Sequence, residues 1–390
     1  MDSEGKIILE PKYVSEFYCD GIKCGAQCCR GWWIDIDKET YQKYQHIKNP
    51  VMRQKILGCI QPSSSVPNAL EIRHRENGYC PMVCEDKLCY IQRIMGSSAL
   101  SLTCQVYPRA VRYIGNMEVR LVSLSCPIAA ETALFESDGM VINTDSKNTA
   151  AWRLTEAVGK PSRHEIDTLA GADLVLGGLA ILQNTAYTRE ERLIILGLFL
   201  DRAEELKNNA AALNKLIEYY TGDEIRKELA PLLVNWSFDK KAHQEILTRV
   251  IKVIKENELF TTLGTNKLQQ TNINYDAIYS GKHKLLEDNV GKALDKYLQY
   301  EWLYRAFPFY LDSGFLHSYF AFLLAYKILE LYMYSAIDFS RLLTKDLIVR
   351  TVTLIARDLD HRDLLPTMVK DIAALEAEPL KLMEQLLRLK

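Results

Sequence analysis

From residue 127 to its end this 390-residue chain contains no cysteine, although ten stand before that point. The larger part of the protein can therefore form neither a disulfide nor a thiolate metal site. An excess of charge of one sign is also missing. Basic residues number 48 against 50 acidic ones, with no long run of either, which excludes a nucleic-acid binder that works by attraction to phosphate. The opening MDSEGKIILEPKY has acidic residues and no long apolar stretch, so no secretory or transit signal is read there and the expected location is the cytoplasm. No membrane span is expected either. The most apolar stretch, Gly314–Tyr326, has His317, Lys327 and Glu330 within a spanning length and reads as a buried helix. A Gly-x-Gly-x-x-Gly fingerprint after a strand is absent, which excludes an ordinary Rossmann site. No Cys-x2-Cys pair occurs, which disfavours a zinc ribbon and a dithiol redox enzyme. The Cys-x3-Cys-x2-Cys run of radical enzymes is missing too, because Cys24-x3-Cys28 is followed at once by Cys29.

What is present is concentrated early. A chain of this length can bury real cores without covalent staples, so the cysteines need a chemical reason, and in a reducing cytosol clustered thiols are more often ligands than disulfides. Eight look organised: Cys19, Cys24, Cys28, Cys29, Cys80, Cys89, Cys104 and Cys126. Cys59 and Cys84 fall outside that set and read equally as small buried apolar residues. Thiolates suit zinc, copper(I) and iron–sulfur clusters, and a tetrahedral zinc or a cubane takes about four. Eight are enough for two centres, or for one with spare thiols. Cys80 and Cys126 are each followed by proline, as is the last ligand of bacterial ferredoxin runs, which favours iron–sulfur and leaves zinc as the alternative metal. Adjacent side chains of an extended backbone point to opposite faces. Cys28 and Cys29 are thus not expected to ligate one metal together unless the chain turns between them.

The pattern along the chain predicts a mainly α protein: a cysteine-rich N-terminal domain with a few short strands over 1–135, a linker or peripheral loop over 136–165, and an all-helical domain over 166–390. Gly115-Asn116 between alternating segments predicts a hairpin over Arg112–Ser125. Thr188 three residues before Glu191 is a capping box, and a helix is expected to start there. Helical periods also run through Glu245–Lys255, Asp295–Arg305, Ser318–Ser335, Thr344–Asp358 and Ala373–Leu389.

Several blocks resemble the flagellin lysine N-methylases, within the wider group named for a CxxCxxCC cysteine cluster. They are Pro11-Lys-Tyr; Cys28-Cys29 with Gly31-Trp32 and Ile34-Asp-Ile-Asp37; Cys80-Pro81 with Asp86-x2-Cys89; Cys104-x2-Tyr-Pro108-Arg109; and Ser123-Leu-Ser-Cys126-Pro127. Glu191-Arg192-Leu193 with Gly197-Leu-Phe-Leu, and the Asp360-His361 region, are similar less specifically. One departure is Tyr107, where the family usually carries phenylalanine. The resemblance implies methylation of flagellin lysines, S-adenosylmethionine as methyl donor, and an iron–sulfur cluster, of the 4Fe–4S type, in the cysteine domain. The cluster could hold the fold, bind the donor's amino and carboxylate groups, or sense redox state.

For such chemistry Trp32 and Trp33 are candidates to stack on the donor's adenine or contact its sulfonium, or else to pack over the cluster. Arg109 could bind a carboxylate, or form an intradomain ion pair. His361 could accept a proton, or be an exposed helix-end histidine. The aromatic run Tyr300–Tyr310, broken by Pro308, could line a lysine cleft or simply pack a helix. The competing function is a non-enzymatic metal-binding adaptor or metal-handling protein whose helical domain holds a partner.

Overall fold

The computed structural model describes residues 7–31, 34–63, 66–136, 138–143, 152, 154–155, 171–222, 225, 227–229, 231, 240–256, 282–340, 343–361, 364–373, 383 and 386–387. Within them the architecture is mainly α, with short strands confined to the N-terminal third.

The N-terminal third alternates short strands and helices. In order these are β1 (Ile7–Pro11), α1 (Lys12–Glu16), α2 (Gly21–Cys24), β2 (Asp35–Ile36), α3 (Lys38–Gln45), α4 (Pro50–Leu57), β3 (Ile60–Pro62), β4 (Leu70–Ile72), α5 (Tyr90–Met95) and α6 (Leu102–Val106). Then follow β5 (Arg109–Ile114), β6 (Met117–Val122), α7 (Pro127–Phe135) and β7 (Ile142–Asn143). The expected hairpin is β5–β6, paired from Arg109↔Val122 to Ile114↔Met117, and Gly115 at φ 56° supplies the left-handed turn. β1 adds parallel to β6 and β7 antiparallel to β1, giving the order β5-β6-β1-β7. The polar stretch after Asp138 thus begins with a two-residue edge strand, and residues 144–151 lie outside the described ones. β6 is buried along its whole length, so its Glu118 and Arg120 must pair, and Arg120 Nε donates to Glu118 Oε1 at 2.6 Å. A second, antiparallel sheet has the order β2-β4-β3.

The remaining helices are α8 (Gly171–Gln183), α9 (Arg189–Leu206), α10 (Ala210–Thr221), α11 (Lys240–Glu256), α12 (Lys282–Tyr304), α13 (Phe315–Ser340), α14 (Lys345–His361) and α15 (Leu364–Ala373). They contain the helices expected at Glu245, Asp295, Ser318 and Thr344, whereas most of Ala373–Leu389 lies outside the described residues. α9 opens with the capping box: Glu191 N donates to Thr188 Oγ1, and the Glu191 side chain accepts from Thr188 N at 2.8 Å. Thr188→Ala removes one of these bonds and is expected to lower the urea midpoint by an amount equivalent to about 1 kcal/mol; an unchanged midpoint would show that tertiary packing alone sets this helix start. Arg189 and Arg192 on the next turn both reach Asp295 Oδ1, at 2.8 and 2.7 Å, and so fasten α9 to α12.

Helix α13 contains the apolar stretch from Phe315 to Tyr326. Its Lys327 and Glu330 are buried and paired at 2.8 Å. Among the described residues no helix is long and apolar enough to cross a membrane.

The apolar interior falls into two clusters. The larger joins the β5-β6-β1 sheet, α1 and α7 to the C-terminal helices. The smaller is built from residues between Ala26 and Leu100, with Cys104 packed against it. Polar ties cross from the cysteine-bearing segments to the helices: Arg357 Nη2 donates to Gln27 O at 2.9 Å, Arg112 Nε to Tyr304 O at 2.8 Å, and Leu124 N to the Tyr300 hydroxyl at 3.2 Å.

Candidate functional site

The paired cysteines sit on a tight reversal of the chain. Asp20 caps α2 by accepting from Lys23 N, Gly25 ends it at φ 64°, and Ala26 follows in the same left-handed region at φ 57°. A 3₁₀ turn over Gln27–Cys29 comes next. The backbone therefore does turn between the two cysteines, and their sulfurs approach to 3.9 Å instead of facing opposite ways. This is the condition under which the extended-chain expectation for Cys28 and Cys29 lapses.

The other thiols are brought in by separate segments. Cys80 N donates to Cys29 O at 2.7 Å, beside an Arg30↔Tyr79 bridge. Cys89 pairs with Val83 in an isolated bridge at the start of α5. Cys104 lies in the first turn of α6, where its N–H faces Ser101 Oγ. Cys126 precedes Pro127 at the start of α7, and α7 is tied to α2 by Lys23–Glu131 at 2.6 Å and to α14 by Lys345–Glu131 at 2.8 Å. Cys19, on an exposed stretch before α2, completes the set. Of the two outlying cysteines, Cys59 donates its thiol to Lys55 O at 3.2 Å, and Cys84 closes a tight turn by donating its N–H to Leu88 O.

Burial dominates the electrostatics of these thiols. It pushes the Cys80 and Cys126 thiols up to about 12 and that of Cys104 up to about 11, and neighbouring thiols add to the effect. Within the adjacent pair, the hydrogen bond that Cys29 gives favours the Cys28 thiolate, and the same bond and burial raise Cys29. Such thiols ionise when a cation offsets the loss of water, which is what a metal does. Among the described residues no three histidine, cysteine or acidic side chains converge closely enough for a single ion. A cubane holds its thiolates farther apart, because its own iron and sulfide atoms stand between them. The donor chemistry, a set of thiols, is that of the ligands such a cluster takes.

Against this thiol array lies a buried polar chain that composition did not reveal. The Tyr107 and Ser125 hydroxyls are 3.1 Å apart, Ser125 and Ser123 are 2.7 Å apart, and Ser123 donates to Asp360 Oδ2 at 2.8 Å. Because Ser123 has one proton and gives it to Asp360, the Ser125 hydroxyl must donate to Ser123 and Tyr107 to Ser125. Asp360 Oδ1 accepts from Arg305 Nη2 at 2.9 Å, and Arg305 Nε donates to Glu301 Oε2 at 2.7 Å. Burial holds the Glu301 carboxyl above the usual carboxylate range. Burial likewise raises the Tyr107 hydroxyl, with the Cys126 and Cys28 thiols nearby adding to it. The chain thus runs from the cysteines to the centre of the helical region.

Of the residues singled out from the sequence, the eight cysteines come from five segments into this one region. Arg109 opens β5 next to it, half-buried, with its guanidinium 5.9 Å from the Phe17 ring and the Cys19 thiol in electrostatic reach. Among the described residues Arg109 makes no carboxylate ion pair. Trp32 and Trp33 lie outside the described residues. His361 ends α14 and is described for its backbone alone. The aromatic run resolves toward packing: Trp302 and Phe307 are fully buried and stacked at 6.1 Å. Sequence reading missed Glu301, Arg305, Asp360, Ser123 and Ser125 as a group. The available signals were the Glu301–Arg305 spacing of four and the Ser-Leu-Ser before Cys126.

A surface depression of about 380 Å³ lies elsewhere, between α8 and α10, lined by Asp173, Leu176, Gly177 and Ile217 among others. Its position assigns it no part in the thiol site.

The family model for the FliB lysine N-methylase C-terminal domain matches residues 178–389, a range that includes Glu301, Arg305 and Asp360. The chain belongs to the FliB lysine N-methylase family. It is 28% identical over 273 residues to the lysine-N-methylases of Salmonella typhimurium and Salmonella choleraesuis, covering 67% of this chain and 63% of each of those proteins. It is also 34% identical over 144 residues to the flagellar biosynthetic protein FliU of Salmonella muenchen, covering 35% of this chain and 81% of that one. The matched stretch thus spans less than two-thirds of the curated lysine-N-methylases. No solved structure matches.

Proposed function

We propose that this FliB-family chain is a protein-lysine N-methyltransferase acting on flagellin in the cytoplasm, with S-adenosylmethionine as methyl donor and a 4Fe–4S cluster held by the N-terminal cysteines. The observation that carries this reading is the similarity to lysine-N-methylases, which extends through the helical region containing the buried charge chain.

A lysine amine attacks only when neutral, and its ordinary pKa near 10.4 must be overcome by desolvation or a base. Transfer then forms the N–C bond as the C–S bond of the sulfonium breaks, and S-adenosylhomocysteine leaves. Positioning supplies most of the acceleration. The amine's proton needs an acceptor, and the Asp360–His361 stretch at the end of α14 is our candidate, His361 as base and Asp360 fixed beside it by Arg305 and Ser123. Arg109 is the candidate cation for the donor's carboxylate, and Trp32 and Trp33 remain candidates for its adenine and sulfonium. The cluster, when bound, would supply an iron to hold the donor's amino and carboxylate groups if one of its irons lacks a cysteine ligand. Its ligands, about four for a cubane, would come from Cys19, Cys24, Cys28, Cys29, Cys80, Cys89, Cys104 and Cys126.

Co-expression with a flagellin, followed by mass spectrometry of its lysines, tests the activity. One methyl increment per methyl group gained is expected on the modified lysines, and these increments should vanish without this protein. Unmodified lysines in a stable complex would favour an adaptor instead. Arg109→Ala is expected to raise the KM for the donor roughly tenfold with a smaller change in kcat, the loss expected for a charged hydrogen bond. An unchanged KM would remove Arg109 from the donor site.

A further inference from the structure

We propose that the groove between α8 and α10 is a docking site for the protein substrate. It takes a short amphipathic helical segment that lays apolar residues in the groove and sets a lysine or arginine against its acidic rim. The proposal rests on the methyltransferase reading above and adds a place, apart from the thiol site, where the substrate is held.

Helical periodicity builds the groove. α8 lines it with Asp173, Leu176, Gly177 and Ala180, and α10 repeats the same spacing from Asn214 to Thr221. Each helix thus contributes one stripe of i, i+3, i+4 and i+7 positions, two turns or about 10 Å long. The stripes bound a depression of about 380 Å³. Its floor is Gly177, which is buried, and Ile217, which is half-buried. A Cβ at Gly177 would stand 3.1 Å from the Ile217 side chain, tighter than ordinary contact, so glycine is what lets the two helices close beneath the groove. At the rim Ala180 adds only a methyl group, and Leu176 stays 37% exposed although α8 buries Leu174, Val175, Leu179, Ile181 and Leu182. One exposed leucine needs no explanation by itself. Here it lines the same groove as Ile217, and a groove between two packed helices is the shape that receives the ridge of a third.

Charge selects the occupant. Asp173 and Glu218 line the groove, both exposed, and no basic residue does. Among the described residues neither carboxylate makes an ion pair. An acidic segment would be repelled, whereas a lysine can lay its four-carbon stem along Leu176 and Ile217 and keep its ammonium at a carboxylate. The substrate of a protein-lysine methylase carries lysines by definition, so the sign of the groove matches it. The thiols, Arg109 and Asp360 take no part in the lining. A lysine seated here is therefore an anchor, and the lysine that reacts is another.

Fluorescently labelled flagellin monomer is titrated with the full chain, and methylation of the same flagellin is followed by mass spectrometry. Asp173→Lys/Glu218→Lys reverses both rim charges, and Ala180→Trp fills the groove; all three positions are exposed, so both variants should melt with the parent. Each is expected to weaken flagellin binding about tenfold and to raise the KM for flagellin similarly, with a smaller change in kcat. Rising salt should weaken binding of the unmodified protein more than that of the charge-reversed one. Glu39→Lys on α3 reverses a charge whose side chain is 78% exposed, away from the groove, and should leave binding unchanged. An equal loss from Glu39→Lys overturns the groove as the source of the effect. Undiminished binding by both groove variants overturns the docking site while methyl increments keep the activity standing. Groove-dependent binding without methyl increments overturns the activity and keeps the site. Flagellin that does not bind at all overturns the site. A dimer of the chain alone that Ala180→Trp disperses, seen by sedimentation, gives the groove to a second copy and also overturns the proposal.

Discussion

Arg305→Met is expected to lower the unfolding free energy by about 3–5 kcal/mol, the range found when one partner of a buried ion pair is removed. Arg305, Glu301 and Asp360 have side chains only 5%, 1% and 2% exposed, so water cannot replace the guanidinium. The substitution keeps length and apolar volume, which isolates loss of charge from loss of packing. It strands two carboxylates that otherwise share one cation. Glu301→Gln is expected to be much milder, because it leaves Arg305 matched one to one with Asp360 and keeps an oxygen for Arg305 Nε. Its main signature is in pH dependence. Burial raises the Glu301 carboxyl, with the Arg305 charge opposing and Asp360 reinforcing that rise. A carboxyl raised on folding contributes stability that is full below its unfolded value, about 4.3, and is lost as pH rises through the folded one. In Glu301→Gln that decline disappears, so urea titrations at stepped pH should show a flatter curve from about pH 4 upward. Parallel curves for the two proteins would mean that Glu301 does not titrate in that window.

The same residues explain what could be read in advance and what could not. The Thr188 capping box and the Gly115-Asn116 turn encode their structures within a few positions, and both formed where expected. The long helices were legible because a 3.6-residue apolar period survives tertiary context. Glu301 and Arg305 were not, since a Glu–Arg pair four apart reads as a solvated helix face. Only the arrival of Asp360 and Ser123, 237 residues apart in sequence, makes the pair a buried one. The cysteines were legible as a set, because thiolate crowding in so large a chain has few other reasons. The adjacent pair shows the limit of local rules most directly. Alternation holds for extended backbone, and two consecutive left-handed residues, Gly25 and Ala26, lead into a turn where it fails.

Trp302 offers the second large effect. Its indole is fully buried, donates to Val175 O at 2.8 Å, and packs between Phe307 and Phe322. Trp302→Ala is expected to cost about 3–5 kcal/mol, as for other large aromatic truncations in a core. The structure adds a coupled prediction. Gly178 on α8 stands where any side chain would run into the indole ring of Trp302. Gly178→Ala by itself should therefore cost about 1–3 kcal/mol through overpacking, against the roughly 1 kcal/mol by which alanine is otherwise preferred in a helix. In the Trp302→Ala background the clash is gone, and the same Gly178→Ala change should become neutral or stabilising. A double-mutant cycle by urea denaturation measures the difference, and additive effects would show that the α8–α12 contact is looser than described. The consequence reaches the charge chain, because Trp302 directly follows Glu301 and lies less than a turn before Arg305. A methyl group at Gly178 that displaces the indole must move α12 there, and with it the side chains that hold Asp360. If the Asp360–His361 stretch takes the lysine proton, Gly178→Ala should lower kcat for flagellin methylation by more than it raises the KM for the donor, since Arg109 and the thiols are reached from α12 less directly, through the Arg112–Tyr304 and Leu124–Tyr300 hydrogen bonds.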